Sequence, residues 1–170
     1  MGQRADSLSR VAKASAPTIL GLFGVLLLAM PIRFAEGFIP TPLLPLVIVF
    51  FWSIYGPNYL PALSIFFIGI LQDLLTGGPL GLWPAVYLLT QYVVLSQRSY
   101  FMGREQQVVW IGFTFAALSA GLILWMVMSL MSGEMLPVTA LAVQIIATIA
   151  TYPLFAAGFS HLHRRVIVEV

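Results

Sequence analysis

Residues Gly69–Gly81 read Gly-Ile-Leu-Gln-Asp-Leu-Leu-Thr-Gly-Gly-Pro-Leu-Gly, and this stretch decides how the rest of the chain is read. It holds Asp73, the one carboxylate embedded in an apolar segment. A turn follows at once, with Gly77, Gly78, Pro79 and Gly81 inside five residues. Glycine and proline this dense break any regular element. Apolar segments lie on both sides, so the stretch predicts a corner between two helices. Steps of seven and four put Ala62, Gly69 and Asp73 on one helical face. That face is small, which lets a neighbouring backbone come close.

Composition says what surrounds the corner. The 170 residues are 60% hydrophobic and only 8% charged, with a mean hydropathy of +0.98. Soluble domains average about 25% charged residues. So few charges cannot cover the surface of a soluble fold, and the chain reads as a membrane protein. A span needs roughly 20 apolar residues. The expectation is an all-α membrane protein of six transmembrane helices with no separate soluble domain. Residues 1–16 form a polar cytoplasmic tail, 17–160 the six-helix domain and 161–170 a second tail. The first apolar run follows Arg4, Arg10 and Lys13 as in a signal peptide, but no small-residue cleavage site follows it. It is expected to be an uncleaved first span.

The spans are expected at Pro17–Ile32, from Leu46 to Tyr55, Tyr59–Leu75, Leu80–Leu95, Val108–Met131 and Pro137–Phe159. Pro17 suits a first helical turn. Pro40, Pro42 and Pro45 crowd the start of the second segment, which is either a short helix with an extended lead-in or part of a broken hairpin. With the N-terminus inside, Arg4, Arg10, Lys13, Arg98, Arg104, Arg164 and Arg165 fall on the inner side, and only Arg33 on the outer. Basic residues in short loops mark the cytoplasmic side. The expected topology is N-in and C-in. The basic excess reports orientation, and no basic stripe with interleaved aromatics points to nucleic acid.

Chemistry has few candidates. The chain has no cysteine, which excludes disulfides and thiolate sites. Two histidines, His161 and His163, fall short of the three or four ligands zinc takes from protein. They stand beside Arg164 and Arg165, a cluster suited to anionic headgroups. No nucleophile elbow, zinc-protease motif or phosphate loop is present. Neither an enzyme nor a bound metal or cofactor is expected. An intramembrane carboxylate is by default a functional site, but Asp73 stands near the outer boundary, beside the start of the fourth span. The free N–H groups and positive dipole end of that helix offer it a partner. The structural role weighs more. An Arg33–Asp73 pair is the alternative use of that charge, against Arg33 pairing with Glu36. Tyr87, Gln91, Gln144, Thr148 and Thr151 are expected to point into the bundle, because lipid offers them no partner.

Phe50-Phe51-Trp52, the Gly56-Pro57-Asn58 turn, Gly69–Trp83, Ser96-Gln97-Arg98, Trp110–Phe113 and Tyr152-Pro153-Leu154 together resemble the MreD family of bacterial rod-shape proteins. Members from alphaproteobacteria are the most similar. The core of the resemblance is Gly69, Asp73, Leu74, Gly77, Gly78, Pro79 and Gly81. Relatives often have Arg-Pro-Asp where this chain has Gly56-Pro57-Asn58. The resemblance implies a non-enzymatic, multi-pass subunit of the inner membrane. It implies work with MreC, with RodA and its partner transpeptidase, and indirectly with MreB, in directing peptidoglycan synthesis. It also implies a fold similar to the substrate-binding subunit of energy-coupling-factor transporters. Arg33, Trp52, Gln91, Gln144 and Thr148 are candidate partner or pocket contacts. A small-solute carrier subunit, with a pocket among Gln91, Gln144, Thr148 and Asp73, is the competing function.

Overall fold

A computed structural model describes residues 2–29 and 41–167, with side chains for 15–29 and 41–158. The described residues form helices joined by turns. These are α1 (Gly2–Ala29), α2 (Leu44–Tyr55), a 3-10 turn at Pro57–Tyr59, α3 (Ala62–Thr76), α4 (Leu82–Ser96), the single turn α5 (Arg98–Phe101), α6 (Gln106–Ser132) and α7 (Thr139–Ile167).

The breakers set the lengths. Gly56-Pro57 and Pro61 separate α2 from α3, and the Gly77–Gly81 turn separates α3 from α4. At 1.5 Å per residue, α2 is about 18 Å long and α3 and α4 about 22 Å, less than the ~30 Å of a bilayer core. Among the described residues only α6 and the stretch Thr139–Gly158 of α7 are long and apolar enough to cross a membrane by themselves. Four further apolar helices, at Ser15–Ala29, α2, α3 and α4, are shorter. The long pair is not the core of a soluble fold. Only 28% and 22% of their apolar windows are buried, and Phe115, Leu130, Ile146 and Leu154 lie exposed. Water-soluble monomers rarely present so much contiguous apolar surface.

α2 is the axis of the bundle. Ten of its twelve residues, Pro45 to Ile54, are buried. A helix that is hydrophobic all round belongs inside, and α2 packs against α1, α4, α6 and α7. Phe50 makes edge contacts with Phe101, Phe113 and Tyr152 at 6.1, 5.2 and 5.9 Å. Phe113 and Tyr152 stack at 4.3 Å, tying α6 to α7. α2 is a short helix, and the chain turns into it at Leu43, where the Leu44 N–H donates to the Pro42 carbonyl at 2.9 Å.

A buried helix must find partners for its ends. Leu43 cannot cap α2 with its own side chain, so α7 does the work. Thr148 Oγ1 accepts the Leu43 N–H at 2.9 Å, and Gln144 Nε2 donates to the Thr41 carbonyl at 3.0 Å. Pro45, near the start of the helix, has no N–H to satisfy. At the other end Arg98 Nε donates to the Ile54 carbonyl at 2.7 Å, a cation at the negative end of the helix dipole. Gln91 Nε2 donates to the Leu60 carbonyl at 3.0 Å, at the bend into α3.

Several expected boundaries need correction. α1 runs from Gly2 through the polar N-terminal segment, so Pro17 lies inside the helix rather than in its first turn. Residues 2–16 hold no internal breaker, and one proline removes a single backbone bond. The last helix carries on past Phe159, where the sixth span was expected to end, to Ile167, while its long apolar stretch ends at Gly158. The third helix begins at Ala62 rather than Tyr59, because Pro61 sits at its N-cap in an extended conformation. Arg33 and Glu36, and the side chains of His161 and His163, lie outside the described residues.

Replacing Thr148 with valine tests the α2–α7 junction. The shapes match, but the Leu43 N–H loses its acceptor, at a cost of about 1–3 kcal/mol. Thr148→Val should lower the thermal midpoint of the detergent-purified protein. Conversion to serine, which keeps the hydroxyl, should recover most of the loss.

Candidate functional site at the α3–α4 corner

α3 ends in a left-handed glycine, as many helices do. Gly77 has φ +70° and its N–H donates to the Asp73 carbonyl at 3.0 Å. Thr76 Oγ1 donates back to the Gln72 carbonyl at 2.7 Å. Gly81, at φ +96°, starts α4. A side chain is strained at both positions.

Asp73 is 1% exposed. Its Oδ2 accepts the Gly81 N–H at 2.6 Å, and its Oδ1 accepts the Trp83 N–H at 3.2 Å. Two further amides at the start of α4 bond to the backbone. Leu82 N–H donates to the Pro79 carbonyl at 3.2 Å and Ala85 N–H to the Gly81 carbonyl at 3.1 Å. Pro84 has none to offer. One carboxylate therefore completes the start of α4 from a residue eight positions upstream of Gly81, and its charge opposes the positive end of the helix dipole.

Gly69 allows this approach. A Cβ built there would stand 2.4 Å from Pro84 N and 2.6 Å from Pro84 Cα, both backbone atoms that cannot swing away. α3 and α4 thus touch backbone to backbone one turn before the carboxylate. The small face is real at Gly69 and Asp73 but does not extend to Ala62, which is exposed. Gln72, also fully buried, accepts a hydrogen bond from the Tyr87 hydroxyl. Gln72 and Asp73 thus hold α4 at two heights.

The remaining expected contacts do not gather into one site. Gln144 and Thr148 meet at the start of α2, Gln91 at the α3 bend and Asp73 at the α3–α4 corner, each bonded to backbone. Trp52 is 1% exposed and lies among Phe51 and Tyr59, inside the bundle. A Cβ at Gly56 would meet ring atoms of Trp52 and Tyr59 at 3.0 Å. Among the described residues no group of three or more His, Asp or Glu could hold a metal ion. Sequence reasoning singled out Asp73 and Gly69 from spacing. It missed Arg98 as the partner of the α2 C-terminus, because that contact spans 44 residues.

The arrangement is that of a helical membrane protein whose buried polar groups join helices. The profile of the rod shape-determining protein MreD matches residues 9–159. The chain belongs to the MreD family, a shape-determining family of membrane proteins and not a known enzyme family. No curated protein sequence and no solved structure matches the chain at a significant level.

Two substitutions measure the corner. Asp73→Asn keeps the size but provides one acceptor oxygen and no charge, so one α4 amide loses its charge-assisted bond. A loss of about 1.5–3 kcal/mol is expected, read as a lower unfolding midpoint in detergent. Gly69→Ala forces α3 and α4 apart and should cost at least ~1–3 kcal/mol. An alanine variant as stable as the parent would show that the helices do not meet this closely.

Proposed function

We propose that this chain is a non-enzymatic scaffold of the complex that elongates rod-shaped bacteria. It lies in the inner membrane as a multi-pass protein, with six membrane segments and both termini in the cytoplasm. It binds MreC and, through it, helps RodA and its partner transpeptidase direct peptidoglycan synthesis, with MreB engaged indirectly. The affinity to alphaproteobacterial members belongs to the same reading.

The observation that carries it is how the buried polar side chains are used. Asp73, Gln91, Gln144 and Thr148 each bond to a backbone group at a helix junction. Such groups fix the relative position of helices and leave apolar faces outward for partners. Family membership supports a role in determining rod shape. The solute-carrier alternative gains less, because its four pocket residues stand at three separate junctions. A likeness to energy-coupling-factor subunits would then concern the helix arrangement and not the site.

Depletion of the protein in its host should turn rods into spheres, and the tagged protein should recover MreC. Asp73→Asn, expressed at the same level, should recover less MreC and restore rods only in part. Normal rods after depletion, with no MreC recovered, would overturn the proposal. Solute uptake that changes while shape does not would transfer the protein to the carrier reading.

A further inference from the structure

A groove of about 660 Å³ opens between α4 and α6, within the ~300–1,000 Å³ of small-molecule sites. Leu89 and Val93 line one wall and Ile111 and Phe115 the other. All four are exposed outward, while the buried Phe50 of α2 reaches the floor. Two hydroxyls lie along it, and both are committed to their own helices. Thr90 Oγ1 donates to the Val86 carbonyl and Ser119 Oγ to the Phe115 carbonyl, each at 2.8 Å. Along its length the groove offers apolar contact.

One end differs. Gln97 and Tyr100, from the turn joining α4 to α6, line it. The Arg104 guanidinium stands 5.2 Å from the Tyr100 ring centroid, a cation–π contact that holds the charge at the groove's edge. Arg98 lies in the same connection, and Glu105 is the one carboxylate between residues 96 and 107. The groove is thus apolar along its walls and cationic at one end.

We propose that this groove holds an acyl chain of an anionic phospholipid, with its phosphate at Arg104. Tail and headgroup match the two parts of the groove. A partner's transmembrane helix matches less well, because the cytoplasmic ends of membrane helices are themselves enriched in Lys and Arg. Such a helix would bring like charge to Arg104, and like-charge contacts oppose binding. This comparison rests on the orientation proposed above, which puts the α4–α6 connection in the cytoplasm.

The test is native mass spectrometry of the full chain in neutral detergent, with phosphatidylglycerol or phosphatidylcholine of matched chains. The protein should retain phosphatidylglycerol about fivefold better, the effect of one cation near an anionic headgroup. Arg104→Gln should abolish the preference and leave retention of both lipids at the phosphatidylcholine level. Ser119→Phe, at an exposed position on the α6 wall, should lower retention of both. Leu89→Trp blocks the opposite wall, should a bulky residue at 119 prevent folding. Equal retention of the two lipids by the parent, or retention unchanged in both blocked variants, overturns the proposal. So does a groove without lipid in which Ser119→Cys is protected from maleimide only when MreC copurifies, because a helix then fills it. Retention in detergent does not depend on orientation. Ser99→Cys in this cysteine-free chain tests that separately, since labelling from outside the cell by an impermeant maleimide would overturn the orientation.

Discussion

A helix end buried away from water needs a hydrogen-bond partner for every free amide and carbonyl, and this constraint governs the whole bundle. In a bilayer no solvent can supply it. Here several junctions among the described residues take a side chain from another element. Asp73 completes the start of α4, Thr148 and Gln144 complete the approach to α2, and Arg98 completes its end. The polar residues of this apolar chain are few, and these serve as joints.

The joints explain how short helices persist. α2 is only twelve residues long, which isolated in water would be too short to hold helical structure. Enclosed on all sides and bonded at both ends, it becomes the element the others pack around. The Gly69 contact does the corresponding work for α3 and α4. There the backbones are so close that the carboxylate one turn on reaches the amides of the next helix. Packing and polar bonding therefore act at the same corner, and a change to either disturbs both.

Much of this was legible from local pattern. A carboxylate four residues after a glycine and just before a glycine-rich turn has a short list of uses, and sequence distance to its partners is small. Composition alone indicated the solvent, and the structure agrees in leaving α6 and α7 apolar on their outer faces. Tertiary joints were less legible. Gln144 and Thr148 read as inward-facing, but nothing nearby identified the backbone around Thr41 and Leu43 as their target. Nor did anything local indicate that Trp52 is fully buried. Full enclosure of α2 depends on four other helices, which no local window reports. At α1 and α7 the helix runs beyond the expected span for a simple reason. Polarity marks where a membrane stops and says little about where a helix does.

The same enclosure has a consequence for biosynthesis. The Leu43 amide and the Thr148 hydroxyl are 105 residues apart. At ~5–20 residues per second, roughly 5–20 s separate the making of the inner helix from the making of its last joint. During that interval the chain holds a twelve-residue apolar helix whose N-terminal groups have no permanent partner. α2 is thus made well before α7, the helix that completes it.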